Sequence, residues 1–499
     1  MSNDSADNSP EVPPPAIRRQ HASEWITNGN LVSAAWRLAV PMTLGALLSD
    51  TLAIVDMFFV GRLGATAIAA VTTSGVVLHV IYTLQVGLTT GCTALVAHAV
   101  GADKGREAQH ATGQTLLMGF LLAGIVAAFG IPFADDLLGL LGADADVVAA
   151  GVPYLRISAA GAIGMLTAFS LSSALRGAGD AMTPLKVMFV ANGLNIVLDP
   201  ILIFGWFGMP ALGVAGSALA SVVSAFIACC ILAWAFLAGH SAHLRLHLSD
   251  LVPRPRLMWW LLKIGIYASG QMLMRNLSAI AVIRIVAGFG RVYLAAYGVG
   301  IRLWFSVLMP GIGFGNAAAT LVGQNLGAQK PARAAQAAWV TAGMWAAIST
   351  VVGVVFFVFA EPAVRIFNDH PEVVAQGSSF LRWVSFTFAF TAVSVVLGRA
   401  MNGAGDTFWP MVATALSMLG VRIPLAWALA RAWDSATGVW VAMAVSNAIQ
   451  GVLFTAVFLW GRWKTIGSGL AQVAANAHGR ADAALPLTPR AKDENETEA

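Results

Sequence analysis

The chain contains itself twice. With a shift of 226 residues, VGRLGATAIAA from Val60 lies over VAGFGRVYLAA from Val286, and VAHAVGADKG from Val96 lies over VGQNLGAQKP from Val322. RGAGDAMTP from Arg176 lies over NGAGDTFWP from Asn402 in the same register. A register that holds from the first apolar run to the fourth means that one fold unit was duplicated. Any fold for this chain must therefore be a pair of similar halves.

Each half reads as a membrane bundle. Hydrophobic residues make up 58% of the chain and charged residues 11%, with a mean hydropathy of +0.73, whereas soluble domains carry roughly a quarter charged residues. A window of about 20 residues finds spans near 35–60, 71–98, 112–133, 148–175, 184–206 and 212–238, then near 258–288, 295–325, 337–360, 373–401, 410–431 and 437–461. Six spans per half is an even number, so both halves enter the membrane from the same side and the repeats are parallel. The expected fold is an all-α polytopic membrane protein with twelve transmembrane helices in two parallel six-helix repeats. Residues 1–30 are expected as a disordered tail, 31–239 as the first lobe and 240–257 as a linker. Residues 258–465 are expected as the second lobe and 466–499 as a second disordered tail.

Charge orients the bundle. Arg18, Arg19, Arg37, Lys104, Arg106, Arg176, Arg254, Arg256, Lys330 and Arg333 fall on the side of the termini, while Arg62, Arg291, Arg365 and Arg431 face the other side with Asp135, Asp136, Asp144 and Asp146. The positive-inside rule then places both termini, and the long connection from His240, in the cytoplasm of a bacterial-type plasma membrane. A basic loop there suits anionic lipid headgroups, and no nucleic-acid partner is expected. Cys92, Cys229 and Cys230 lie in apolar runs without metal-ligand spacing, so neither a disulfide nor a metal site is expected. There is no nucleophile motif, no HExxH and no His or Cys cluster. The chain reads as no enzyme, with no cofactor.

Residues that break the internal symmetry mark where function was added. Asp50, Asp56, Asn192, Asn195 and Asp199 align with Asn276, Val282, Met418, Val421 and Leu425. Conversely Arg275, Arg284, Arg302, Arg399 and Arg422 align with Ser49, Phe58, Val76, Ser173 and Ile196. Intramembrane anions belong to the first half and cations to the second. A carboxylate in hydrocarbon costs a few kcal/mol and is neutralised by a proton, a cation or a basic partner. Asn192, Asn195 and Asp199 are spaced i, i+3, i+7, one stripe on a helix face. Pro200 lacks an N–H and leaves the Ile196 carbonyl without its helix partner. Oxygen donors of this kind suit H⁺ or Na⁺, so Asp56, Asp199, Asn195 and Asn192 are the candidate coupling site, with Na⁺ at Asp56, Asp199 and Asn195 as one form. The competing reading makes Asp56 or Asp199 the structural partner of a buried arginine such as Arg284. Asp50, His79 and Gln85 are accessory candidates, Pro41, Pro200 and Pro310 are hinge candidates, and Arg284 and Arg302 are candidates to line a second-lobe cleft.

PM…VDMFFVGRLG from Pro41 to Gly64, LRGAGDAMTP from Leu175 to Pro184 and NGLNIVLDP from Asn192 to Pro200, set on two parallel six-span copies, resemble the multidrug and toxic compound extrusion (MATE) family. The resemblance covers roughly residues 30 to 465 and implies a V of two lobes. It also implies efflux of small drug-like molecules, driven by inward H⁺ or Na⁺. The DinF-like branch is the nearer one. Its first-span Asp and Pro match Asp56 and Pro41, its fifth-span Asn and Asp match Asn195 and Asp199, and its sixth-span hydroxyl is matched by Ser217 or Ser221. Another branch of the family has an acidic residue near the position of Arg275, a departure that favours H⁺ coupling through the first half. Aromatic and Met-rich helices around an acidic lobe suit lipophilic cations, although the arginines of the second half leave an anionic or zwitterionic substrate open. The expected form is a monomer in the bilayer. The alternative is a lipid or lipid-linked oligosaccharide flippase of the same superfamily.

Overall fold

A computed structural model describes residues 24–238 and 244–466, and all regular structure among them is helical. The first half consists of α1 (Leu31–Gly61), α2 (Ala65–Gly101), α3 (Gly105–Gly130), α4 (Ala145–Gly177), α5 (Met182–Phe204) and α6 (Val214–Leu237). The second consists of α7 (Pro255–Ala287), α8 (Arg291–Gly327), α9 (Pro331–Val358), α10 (Pro371–Ser385 and Phe388–Gly403), α11 (Phe408–Ala432) and α12 (Thr437–Trp460). Ten of these are long and apolar enough to cross a membrane, and α10 adds an eleventh as a bent pair. Helix α7 spans 33 residues, but Arg256, Lys263, Arg275 and Arg284 dilute its apolarity. Its partner in the first repeat, α1, passes on apolarity alone.

Local chemistry sets the helix boundaries. Asn30 Oδ1 accepts the Val32 and Ser33 N–H groups at 2.9 and 3.2 Å and starts α1. The two GAGD segments are matched joints. Gly179 and Gly405 take φ values of +92° and +88°, where a Cβ would be strained. Asp180 then accepts from the N–H groups of Met182 and Thr183, and Asp406 from that of Trp409, starting α5 and α11. Burial pushes the Asp406 carboxyl up from its ordinary value, opposed by the Trp409 N–H and the Arg462 guanidinium.

Two departures from a regular span were not anticipated. Helix α10 breaks between Ser385 and Phe388 and bends by 56°. Helix α11 carries a π turn over Leu416–Arg422, just ahead of Pro424, which cannot donate to the ladder. In the repeat register this turn overlies the Asn192–Asn195 stretch of α5. The two copies therefore diverge in backbone as well as side chain where the first half carries its polar stripe.

The cores of the halves are exchanged at their first helices. Ala34, Ala35, Leu38, Ala39 and Met42 of α1 are buried in one cluster with Phe314, Ala317, Ala318, Leu321 and Ala338 of α8 and α9. Leu261 and Ile264 of α7 are buried with Leu88, Cys92 and Leu95 of α2. Each lobe thus builds part of its core from the opening turns of the other lobe's first helix.

Contacts of residues 24–30 and of the linker refine the sequence-based boundaries. Residues 24–30 were assigned to a tail, yet Ile26 is fully buried and the segment is held by α9. Lys330 Nζ donates to the Thr27 carbonyl at 3.2 Å, and Arg333 donates to the carbonyls of Ile26 and Gly29. The remaining tail residues, 1–23 and 467–499, and linker residues 239–243 lie outside the described residues. The rest of the linker is clasped to α3. Gln114 Nε2 donates to the carbonyls of Asp250 and Val252 at 3.0 and 2.8 Å, and its Oε1 accepts the Arg254 N–H at 2.8 Å. Beside it His110 Nδ1 meets Asp250 Oδ1 at 2.8 Å. Gln114→Ala removes three hydrogen bonds, one buried and two part-buried, at about 1 kcal/mol each. It is expected to lower the melting temperature in detergent and to speed proteolysis between residues 244 and 254. Unchanged melting and cleavage would show that the clasp does not hold the linker.

Candidate coupling site in the first lobe

The site forms where α1, α4, α5 and α6 meet. The turn from α5 to α6 doubles back tightly, with the N–H groups of Leu212 and Gly213 donating to the carbonyls of Leu202 and Ile203 at 2.9 and 3.1 Å. Gly216 then lets α6 lie directly on the α5 backbone, because a Cβ there would overlap the Leu202 carbonyl. That approach brings Ser217 and Ser221, one turn apart on α6, to the polar face of α5.

Asp199 is fully buried and Asn195 is 1% exposed. With its amide oriented to satisfy both sides, Asn195 donates to Asp199 Oδ2 at 3.3 Å and accepts from Ser221 N and Oγ at 3.1 and 3.3 Å. Ser217 Oγ donates to Asp56 Oδ1 at 2.7 Å. The Asp56 carboxyl comes within hydrogen-bonding range of the Asp199 carboxyl. No donor from the described residues reaches Asp199 Oδ1. No described arginine or lysine pairs with either acid. Two carboxyl groups in contact are both acceptors, so they attract only when a proton or a cation sits between them.

Tyr154 of α4 was absent from the sequence reading. It sits close enough to interact electrostatically with both acids, and it packs into the apolar cluster of Val60, Ala67, Ala70, Val71, Ile203 and Val214. A tyrosine aligned to Phe380 in the other copy offered only a weak signal, since aromatic residues at helical spacing are ordinarily core. Phe59 stacks edge-on against Phe204 at 6.4 Å, and Phe204 lies 6.4 Å from Trp206, forming an aromatic wall beside the acids.

The other candidates fall elsewhere. Asn192 lies one turn from Asn195 but donates to the Leu48 carbonyl of α1 at 2.9 Å, tying α5 to α1. Pro200 is buried within a continuous α5, and Pro41 is buried in α1 at the edge of the segment that enters the second lobe's core. Asp50 is exposed and lies apart from the acid pair. Gln85 is buried and donates to Leu166 O and Ser170 Oγ of α4 at 3.1 and 3.3 Å, an interhelical tie. His79 faces Asn276 of α7 at 3.2 Å, bridging the halves. Arg284 and Arg302 are both exposed and belong to no ion pair among the described residues.

The halves meet along a seam confined to the part of the bundle nearest the termini. Thr43 Oγ1 donates to Pro310 O at 3.1 Å and Ser269 Oγ to Thr83 O at 2.9 Å. Nearer the termini, Thr320 Oγ1 and Gln324 Nε2 donate to the carbonyls of Arg176 and Gly177, each at 2.9 Å. Every cross-lobe hydrogen bond among the described residues lies at or on the terminus side of His79 and Asn276. The lobes are thus joined at that end, while no hydrogen bond among the described residues joins them at the other.

The sequence profile of the MatE family matches residues 41–201 and again 268–428, one match per half. The chain belongs to the MATE family. Among curated relatives, the probable multidrug resistance protein YoeA of Bacillus subtilis is 29% identical, over 87% of this chain and 96% of its own length. A FAD transporter of Shewanella oneidensis is 24% identical over 83% of this chain and 91% of its own. A crystal structure of a MATE protein in its bent conformation superposes with a TM-score of 0.82 at 23% identity, covering 91% of this chain and 99% of that one. The fold is therefore the MATE fold of two six-helix repeats, and this MATE protein is a membrane transporter.

Proposed function

We propose that this MATE transporter is a secondary active exporter of drug-like organic compounds, of the DinF-like branch, driven by inward H⁺ or Na⁺ bound at Asp56 and Asp199. It works as a monomer in the plasma membrane with both termini cytoplasmic, so the cleft opens outward. The observation that carries the reading is the pair of carboxyl groups facing each other in an apolar lobe without a basic partner among the described residues. Either a proton shared by the pair or a Na⁺ with Asn195 and Ser217 as further oxygen ligands would neutralise it. H⁺ is the expected ion, because the second half offers arginine where a second acidic site would stand.

Helix α1 links this site to the alternating movement. Its outer end carries Asp56, while its inner end is part of the second lobe's core. Neutralising the acid pair relaxes the outer half of α1, and Pro41 is placed to let that half bend without dragging the inner half out of the other lobe. The relatives named for multidrug resistance support drug-like cargo, and the one named for FAD shows that cargo chemistry varies among them.

The test is efflux from proteoliposomes loaded in parallel with ethidium, a lipophilic cation, or carboxyfluorescein, an organic anion, with a pH or a Na⁺ gradient imposed separately. A pH gradient is expected to accelerate movement of one dye, and Asp56→Asn to remove the acceleration. Movement indifferent to both gradients would overturn the antiporter reading and favour a flippase or passive pore.

A further inference from the structure

We propose that Arg176, Arg275 and Arg399, together with Tyr82, form a site at the floor of the cleft that binds the anionic group of the transported compound. This rests on the export reading above and names its substrate class: an amphipathic organic anion, carboxylate or phosphate, with an aromatic body.

The three guanidinium groups come from three helices and both lobes. Arg176 closes α4, Arg275 lies midway along α7, and Arg399 lies in the second segment of α10. Arg399 is the hub. Asn402, one turn along α10, accepts from Gln271 Nε2 at 3.3 Å, and Gln271 lies one turn from Arg275 on α7, while the Arg176 carbonyl accepts from Thr320 of α8 at 2.9 Å. Arg399 acts electrostatically on both Arg176 and Arg275, and Arg422 on Arg275 as well. Its stem packs on Gly315 of α8, where a Cβ would approach its Cγ to 2.8 Å. Tyr82 interacts with both Arg176 and Arg399 and is 39% exposed. It carries Phe169 edge-on at 6.1 Å and the His79 ring at the same distance.

What is missing around these cations points to a ligand. None of the three enters an ion pair or donates a side-chain hydrogen bond among the described residues. Arg275 Nε is inaccessible and has no acceptor. Arg422 shows the contrast. It is equally a cation inside the bundle, yet it is satisfied by Ser446 Oγ at 2.8 Å and Asn447 Oδ1 at 2.6 Å, so it is structural. Three like charges left without a counter-ion repel one another in a low-dielectric setting, and that arrangement persists where an anion supplies the missing charge. The planar fork of arginine suits carboxylate and phosphate oxygens, and the Tyr82, Phe169 and His79 rings offer an apolar edge for an aromatic body.

The repeat supports the assignment. The positions equivalent to Arg176, Arg275 and Arg399 are Asn402, Ser49 and Ser173, all polar but neutral. Scaffold packing at these positions does not require a guanidinium. The cluster also lies at the seam, where the lobes separate during alternating access. An anion bridging arginines of both lobes would stabilise the closed seam and be released when they part.

The experiment is fluorescence polarisation of carboxyfluorescein on the full chain purified in detergent, at low salt and with added salt. Arg275→Gln with Arg399→Gln is expected to weaken binding at least about tenfold. Arg399→Lys, which keeps the charge, should retain part of the affinity, and ethidium binding should be unchanged or tighter in the Gln variants. Wild-type affinity in the double Gln variant, or binding of ethidium and not of carboxyfluorescein by the wild type, would overturn the proposal. If the double variant does not fold, Tyr82→Leu with Arg176→Gln provides the same comparison. Displacement by benzoate assigns the site to soluble anions, and displacement by dihexanoylphosphatidylglycerol alone assigns it to lipid headgroups. Arg365→Gln, which removes an arginine from an exposed pair with Glu361 away from both sites, should bind carboxyfluorescein normally. If binding depends on the arginines but no gradient moves any dye, the export reading fails while this site stands. If gradients move dye but binding ignores the arginines, only this inference fails.

Discussion

Asp199→Asn is expected to abolish gradient-driven transport, by about a hundredfold or more, in a protein that still inserts and melts no lower than the wild type. The substitution keeps the shape and the hydrogen bond to Asn195 but removes the group that can hold a proton or a cation against Asp56. Its opposite effects on activity and stability separate the two readings of the site. If Asp199 were one half of a structural ion pair, its loss would leave a buried charge unpaired and cost about 3–5 kcal/mol, and the melting temperature would fall with the activity. With no described basic partner and an Oδ1 without a donor, the amide should instead relieve a desolvated carboxyl. Efflux rates in proteoliposomes and melting in detergent, measured on the same preparation, decide between these outcomes. Near-wild-type efflux would remove Asp199 from the coupling site.

Much of this was legible in the sequence because duplication carries its own evidence. The register of 226 residues gave the two-lobe architecture, and the spacing of Asn195 and Asp199 placed both on one buried face, as they are in the structure. The broken symmetry also singled out the acids of one half and the cations of the other. What it could not give was rotation and depth. Asn192 shares the stripe with Asn195 but turns toward α1, and Asp50 faces outward, because a one-turn shift along a helix decides which neighbour a side chain meets. Tyr154 was invisible because an aromatic residue on an apolar helix looks like core until the helix packing places it beside two acids. The arginines illustrate the same limit. Arg275, Arg284, Arg302, Arg399 and Arg422 all stood out by alignment, and Arg284 and Arg302 were the expected cleft residues. Both are exposed, whereas the site proposed above uses Arg275 and Arg399 with Arg176, which charge bias alone sets at a basic cytoplasmic edge.

Gly327→Val, alone or with Gly101→Val, is expected to hold the seam apart and eliminate transport. These glycines form a symmetric pair. Gly101 lies against the Gln324 carbonyl and Gly327 against the His98 carbonyl, and the repeat register carries Gly101 to Gly327 and His98 to Gln324. Thr43 against Gly313 and Ser269 against Gly87 repeat the pattern farther along the seam. Close helix approach in lipid depends on such small residues, because no hydrophobic force draws the helices together there. A Cβ at either position would overlap a main-chain carbonyl, which cannot move aside as a flexible side chain can. Overpacking of that kind costs about 1–3 kcal/mol per site, enough to shift a two-state equilibrium balanced within a few kcal/mol by one to two orders of magnitude. The lobes should therefore rest apart at the end that the wild type keeps closed. Ala97→Cys, whose Cβ lies 2.7 Å from where a Gly323 Cβ would stand, would report this as faster labelling by a water-soluble maleimide from the terminus side. Gly124→Val is the control, since nothing lies within 4 Å of a Cβ there, and it should leave both readouts unchanged. If Gly327→Val transports normally and Ala97→Cys stays protected, closure of this seam is not part of the cycle. If labelling rises while transport persists, the seam opens without limiting the rate. The expected result is both changes together, because a carrier that cannot close one end cannot hold a gradient across itself.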